Sequence, residues 1–178
     1  MMLEEEKIPS FGIVVYDESD NRSDFIKTLR SIKNINYDKK NFGAVLSIRA
    51  ELAHSRGEKV QDFIDISQMM RDEGFWFRLS IHSYLNQNLR ETECFNKIAA
   101  ATYICSIDTG QEIHPNTLNI IVDATKNKDI LVFEDTVRGV TFLSKKIASE
   151  QYYNYTNYNN MVEELRKKAQ SDGLYSSI

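Results

Sequence analysis

The chain predicts an α/β fold: a single domain with a mainly parallel sheet and helices on both faces. Three observations carry this. Short, continuous apolar runs such as FGIVVY (11–16) are the mark of strands buried on both sides. Stretches with apolar residues at helical spacing alternate with them, as crossover connections require. Neither an internal repeat nor a linker splits the alternating segments into separate domains.

The elements follow in order. The first strand is Phe11 to Tyr16. The turn DESDNRS leads into a helix that either Ser23 or Asp24 can cap, with Phe25, Ile26, Leu29 and Ile32 on one face. Asn41 to Ile48 reads as the second strand. Val60, Phe63, Ile64 and Met70 mark a second amphipathic helix, stopped at Gly74. Phe75 to Ser83 is the third strand and Thr102 to Asp108 the fourth. A helix then opens at His114-Pro115, where proline suits the first turn, and buries Leu118, Ile121 and Val122. Asp129 to Phe133 and Gly139 to Leu143 are two further strands. A helix from Met161 to Ser171 precedes Gly173, with Glu163/Lys167 and Glu164/Lys168 as surface pairs.

Composition narrows the class. The 178 residues are 42% hydrophobic, enough for one well-filled core. A net charge of −4 argues against a nucleic-acid binder, which would carry a basic stripe. No apolar run is long enough for a transmembrane segment, and the acidic start MMLEEEK is unlike a secretory signal. Residues 1–7 are read as an acidic tail and 8–178 as the domain. Cys94 and Cys105, the two cysteines, fit a reducing compartment, so the expected location is cytoplasmic.

The most chemically informative stretch is TYICSIDTGQEIHPNTLNIIVDA (102–124). Its strand ends in a carboxylate, Asp108, and open α/β sheets place ligand-handling groups at that edge. Two carboxylates one residue apart could clamp a metal-bound diphosphate, because hard cations need several oxygen ligands. The residue two after Asp108 is Gly110, which has no side chain. Glu112 and the pair Glu134-Asp135 are nearby acidic alternatives, read first as solvated loop carboxylates. His54, His82 and His114 are scattered, with no metal-ligand spacing; His114, before a proline, reads as a helix cap. Neither a GxxxxGK[ST] nor a GxGxxG phosphate loop is present. YYNYTNYNN (152–160) is compositionally odd. Its tyrosines pack sideways with wet hydroxyls, or Tyr152, Tyr153, Tyr155 and Tyr158 form a surface for a glycan or a protein partner.

Three blocks in this order resemble the nucleotide-sugar-binding domain of family-two glycosyltransferases, which have the GT-A fold. They are FGIVVYDESDNRSDFIKTLRSIKNINYDKKNFGAVL, FNKIAAATYICSIDTGQEIHPNTLNIIVDA and YNNMVEELRKKAQSDGLYSSI. The resemblance implies where a site would lie. The family's base-recognising aspartate after the second strand corresponds here to Ser47-Ile48. Asp108 matches the first carboxylate of the acidic-x-acidic motif that holds ribose and a Mn2+ or Mg2+ ion, and Gly110 stands for the second. Asn159 and Asn160 occupy the place of the catalytic base, and an amide cannot take the acceptor's proton at neutral pH. Asp17 and Glu18 stand where the family contacts the nucleotide, and Asn96 matches an asparagine of the helix before the fourth strand. Two expectations result. One is a catalytically degenerate module that binds a protein or a glycan. The other is a metal-dependent inverting transferase that moves a sugar from a nucleotide sugar to a hydroxyl acceptor.

Overall fold

The computed structural model describes residues 8–18, 21–82, 98, 101–144 and 158–178. Strand β1 (Phe11–Asp17) is buried along its whole length, and a strand with no solvent face needs layers on both sides. Helix α1 (Arg22–Lys33) follows, capped by Asn21, whose side chain accepts from the Ser23 amide. The cap therefore falls before the expected Ser23 or Asp24. All three residue types cap equally well, so sequence alone does not choose between them.

A single 3-10 turn, Lys39–Asn41, leads into β2 (Phe42–Arg49). Helix α2 (Ala50–Ser55) was not anticipated. It is short and buries only Ala53, so it leaves almost no periodic signal. Helix α3 (Val60–Asp72) and strand β3 (Trp76–His82) lie close to their expected bounds. Strand β4 (Tyr103–Asp108) ends at the expected carboxylate.

Helix α4 (Thr117–Thr125) begins later than His114-Pro115. The His114 Nδ1 accepts from the Asn116 amide at 3.1 Å, and the Pro115 carbonyl accepts from Asn36, so this segment is a turn ahead of the helix. Strand β5 is Val132–Asp135, shifted toward the C-terminus of the expected run, and β6 is Val140–Ser144. Helix α5 (Tyr158–Asp172) starts before the expected Met161, and β7 (Tyr175–Ser177) closes the chain.

The seven strands form one sheet in the order β3-β2-β1-β4-β6-β5-β7. Only β6 runs against the rest, pairing antiparallel with both β4 and β5. Alternation along β1 divides the core. Phe11, Ile13 and Val15 pack with α1, α3 and α4 on one face, through Leu29, Met70 and Leu118 among others. Val14 and Tyr16 pack on the other face with Met161, Val162 and Leu165 of α5. Helices thus cover both faces, as the unbroken apolar strands require. Among the described residues, no helix is long and apolar enough to cross a membrane.

Candidate functional site

The chain leaves β1 toward β2 on one side and reaches β4 on the other, so strand order reverses between β1 and β4. At such a switch point the connections diverge and open a crevice beyond the strand ends. Tyr16 of β1 and Asp108 of β4 are register partners there. They line one cavity of about 400 Å³ on the α5 face of the sheet. Ser106 and Thr141 add hydroxyls to its wall, and Gln111 and Asn159 add amides.

The loop after β4 is held by its own side chains. Gln111 reaches back to accept from the Asp108 amide at 2.8 Å and donates to the Gly139 carbonyl at 2.9 Å. It thereby ties the end of β4 to the β5–β6 turn. On the opposite face, the fully buried Thr28 of α1 accepts from the Gly110 amide at 2.8 Å and donates to the Gln111 carbonyl at 2.7 Å. Gly110 sits at φ 99°, a left-handed conformation that favours glycine. A Cβ there would lie 3.6 Å from the Asp24 carboxyl carbon of α1. The position of the missing second carboxylate thus points toward α1, whereas Asp108 lines the cavity. Among the described residues, no group of three or more His, Cys, Asp or Glu could hold a metal ion. The described residues therefore do not fit a divalent-metal clamp at Asp108.

Helix α5 supplies the far wall. Asn159 and Glu163, four residues apart, share one helical face and both line the cavity, as does Arg166. Arg166 is ion-paired with Glu134 of β5. That hydrogen bond raises the guanidinium pKa against the opposing effect of burial, so Arg166 is a fixed cation already matched by an anion. Asn160 is exposed and does not line the cavity.

The β1–β2 end of the same edge is different. Ser47 and Ile48 are fully buried and pair in register with Tyr16 and Asp17. Asp17 is also fully buried, and Arg56 grips it with both terminal nitrogens, one at 3.1 Å. The same guanidinium donates to Glu58 at 2.8 and 3.0 Å, and Glu58 accepts from Arg22 at 2.9 Å. Burial would lower the Arg56 pKa, but the bonds to Glu58 and Asp17 outweigh it and raise it. Glu18 pairs with Arg49 at 3.1 Å. Both carboxylates expected to contact the nucleotide are therefore engaged by arginines.

The remaining expected residues fall elsewhere. Glu112 lies near Lys27 at 3.8 Å, on the α1 side, and does not share the Asp108 cavity. Asp135 is buried and caps the β5–β6 turn, accepting from the Val137 and Arg138 amides. Asn96, Tyr152, Tyr153 and Tyr155 lie outside the described residues, and Tyr158 is described only as the first residue of α5. Sequence reading missed Arg56, Gln111 and Arg166, each of which has a partner distant in the chain: Asp17, Gly139 and Glu134. Glu163 was read only as a surface partner of Lys167, which it meets at 3.7 Å. Its spacing from Asn159 was the available signal that it shares the site.

No family model matches the chain, and no curated protein does. Solved structures do. Staphylococcus aureus TarS 1–349 in complex with UDP matches with TM-score 0.59 and 12% identity over 80% of this chain and 48% of that one. The mannosyltransferase PcManGT from Pyrobaculum calidifontis, in complex with GDP-Man and Mn2+, matches with TM-score 0.60 and 7% identity over 82% and 47%. A Bacillus anthracis protein bearing the name glucose-1-phosphate thymidylyltransferase, with sucrose bound, matches with TM-score 0.56 and 10% identity over 95% and 86%. The chain spans about half the length of the TarS 1–349 and mannosyltransferase structures. At these identities the likeness establishes architecture: this chain has the GT-A-like fold of nucleotide-sugar transferases.

Proposed function

We propose that this domain is a binding module built on a family-two transferase scaffold, one that does not carry out sugar transfer. The observation that carries the reading is the closure of the nucleotide end. Asp17, Arg56 and Glu58 satisfy one another in a buried cluster where a nucleotide would lie, while the polar cavity at Asp108 stays open. Opening that cluster would strip a buried charge of its partner, at a cost of about 3–5 kcal/mol, which a nucleotide's contacts would first have to offset. Two further features agree. Gly110 directs its side-chain position toward α1, and Asn159 brings an amide rather than a base to the cavity. The module's partner is a glycan or a protein, met at the cavity or along the tyrosine-rich segment 152–158.

One observation favours a working transferase instead. Glu163 lines the cavity one turn after Asn159 and could serve as a displaced base. The two readings separate in a melting experiment, because a ligand of the native state raises Tm. UDP- and GDP-sugars with Mn2+ should leave Tm unchanged and show no turnover. A Tm rise together with sugar release abolished by Glu163→Gln would establish the transferase.

A further inference from the structure

The two edges of the sheet are not alike. Strand β7 closes one edge with three residues, whereas β3 forms the other with seven. Strand β3 pairs with β2 in unbroken register along its whole length, and among the described residues no strand meets its other side. An open edge invites pairing with another strand, and proteins that stay monomeric blunt it with short strands, proline, bulges or charges. The run WFRLSIH has no proline, no bulge and one formal charge, Arg78, which lies over the Trp76 ring at 5.6 Å. Arg71 covers a single acceptor of this strand, the Phe77 carbonyl, at 3.3 Å.

Exposed apolar surface gathers on the same edge. Of the eight large hydrophobics exposed among the described residues, four belong to it: Val60, Ile64, Trp76 and Ile81. At about 3.6 residues per turn, Val60, Ile64 and Arg71 share one flank of α3 and Glu73 continues the other. Glu73 meets Lys33 of α1 at 3.3 Å, so the Val60–Ile64 flank faces away from α1, and from that flank Arg71 reaches β3. The order of residues in β3 is also self-complementary. Two copies run antiparallel about a two-fold axis at Leu79 place Phe77 against Ile81 and Arg78 against Ser80. Moving the axis to Arg78 would oppose two arginines, which is unfavourable.

We propose that the open edge of β3 is the surface through which this chain pairs with a second copy of itself. The two β3 strands add antiparallel about Leu79, and the Val60–Ile64 flanks of α3 are covered across the axis. An isologous contact of this kind closes after two copies and continues the sheet from one into the other. The edge is separated from the β1–β4 switch point by β2, so the pairing is independent of what the cavity binds.

The test is sedimentation of the full chain across a wide range of concentration, with Ile81→Lys and two cysteine variants. The parent should pass from monomer to dimer as concentration rises. Ile81 is exposed, so Ile81→Lys should leave the Tm of the monomer unchanged and weaken the dimer by about tenfold or more. Residues directly opposed in an antiparallel pair stand about 4.5–5.5 Å apart at Cα, within disulfide range. In a Cys94→Ser background, where the remaining Cys105 is buried, Leu79→Cys should therefore give a linked dimer on oxidation. Ile81→Cys should not, because its two copies stand about 14 Å apart along the paired strands. A monomer at every concentration up to the millimolar range overturns the proposal. So do assemblies larger than a dimer, a dimer indifferent to Ile81→Lys, or cross-linking at residue 81 rather than 79.

Discussion

Replacing Gly110 with aspartate would recreate the acidic-x-acidic spelling, and the structure predicts that it will not recreate a metal site. The backbone there has φ 99°, where a residue with a Cβ is strained by roughly 1–2 kcal/mol. The new side chain would start 3.6 Å from the Asp24 carboxyl carbon, in ordinary van der Waals contact and facing a like charge. Two unit charges about 4 Å apart in a solvated setting repel by roughly 1 kcal/mol. Gly110→Asp should therefore lose about 2–3 kcal/mol and Gly110→Ala about 1–2, the difference being the charge term. Urea unfolding of the three proteins, with unchanged m-values, measures both. The Asp/Ala difference should fall at 1 M salt and vanish when Asp24 is changed to Asn. Adding Mn2+ should leave the Tm of Gly110→Asp unchanged. A variant as stable as the parent, or one that Mn2+ stabilises by several degrees, would refute the reasoning, since it would show that the loop can turn residue 110 toward a ligand.

Other outcomes follow from the same geometry. Asp17→Ala should cost about 3 kcal/mol, at the low end for a broken buried pair because Glu58 still holds Arg56; a loss below 1 kcal/mol in denaturant unfolding would contradict a structural role. Thr28→Val keeps the shape but strands the Gly110 amide and the Gln111 carbonyl, so unfolding should show a loss of about 2–3 kcal/mol. Asn159→Asp puts an acid into the first turn of α5, which has none, and should raise stability by about 0.3–1 kcal/mol without producing sugar transfer in a release assay. Burial pushes the Cys105 thiol pKa up, so the folded protein keeps a proton that the unfolded chain loses. Stability should accordingly fall as pH rises past about 8.5, and Cys105→Ala should flatten that part of the profile.

Much of the scaffold was legible because it rests on local pattern. The apolar runs of β1, β2 and β4 and the periodic faces of α1 and α3 appear within a few residues of their expected places, since burial on both sides leaves a continuous apolar signature. Boundaries moved where chemistry was degenerate. Asn21, Ser23 and Asp24 are all competent caps, and the choice fell to Asn21, whose side-chain Oδ1 accepts from the Ser23 amide. Helix α2, with a single buried residue, left no periodicity to read.

By itself the sequence determined the fold class, the carboxylate at the end of β4 and the amide residues at the head of α5, because each follows from residue type and short-range order. Tertiary structure decided what those groups face. It brought Arg56 from 39 residues away onto Asp17, turned the side-chain position of Gly110 toward α1, and brought Glu163 and Asp108 into the lining of one cavity. Charges act over a few ångströms of space and are indifferent to separation along the chain, so the sign of a site is a property of the folded molecule.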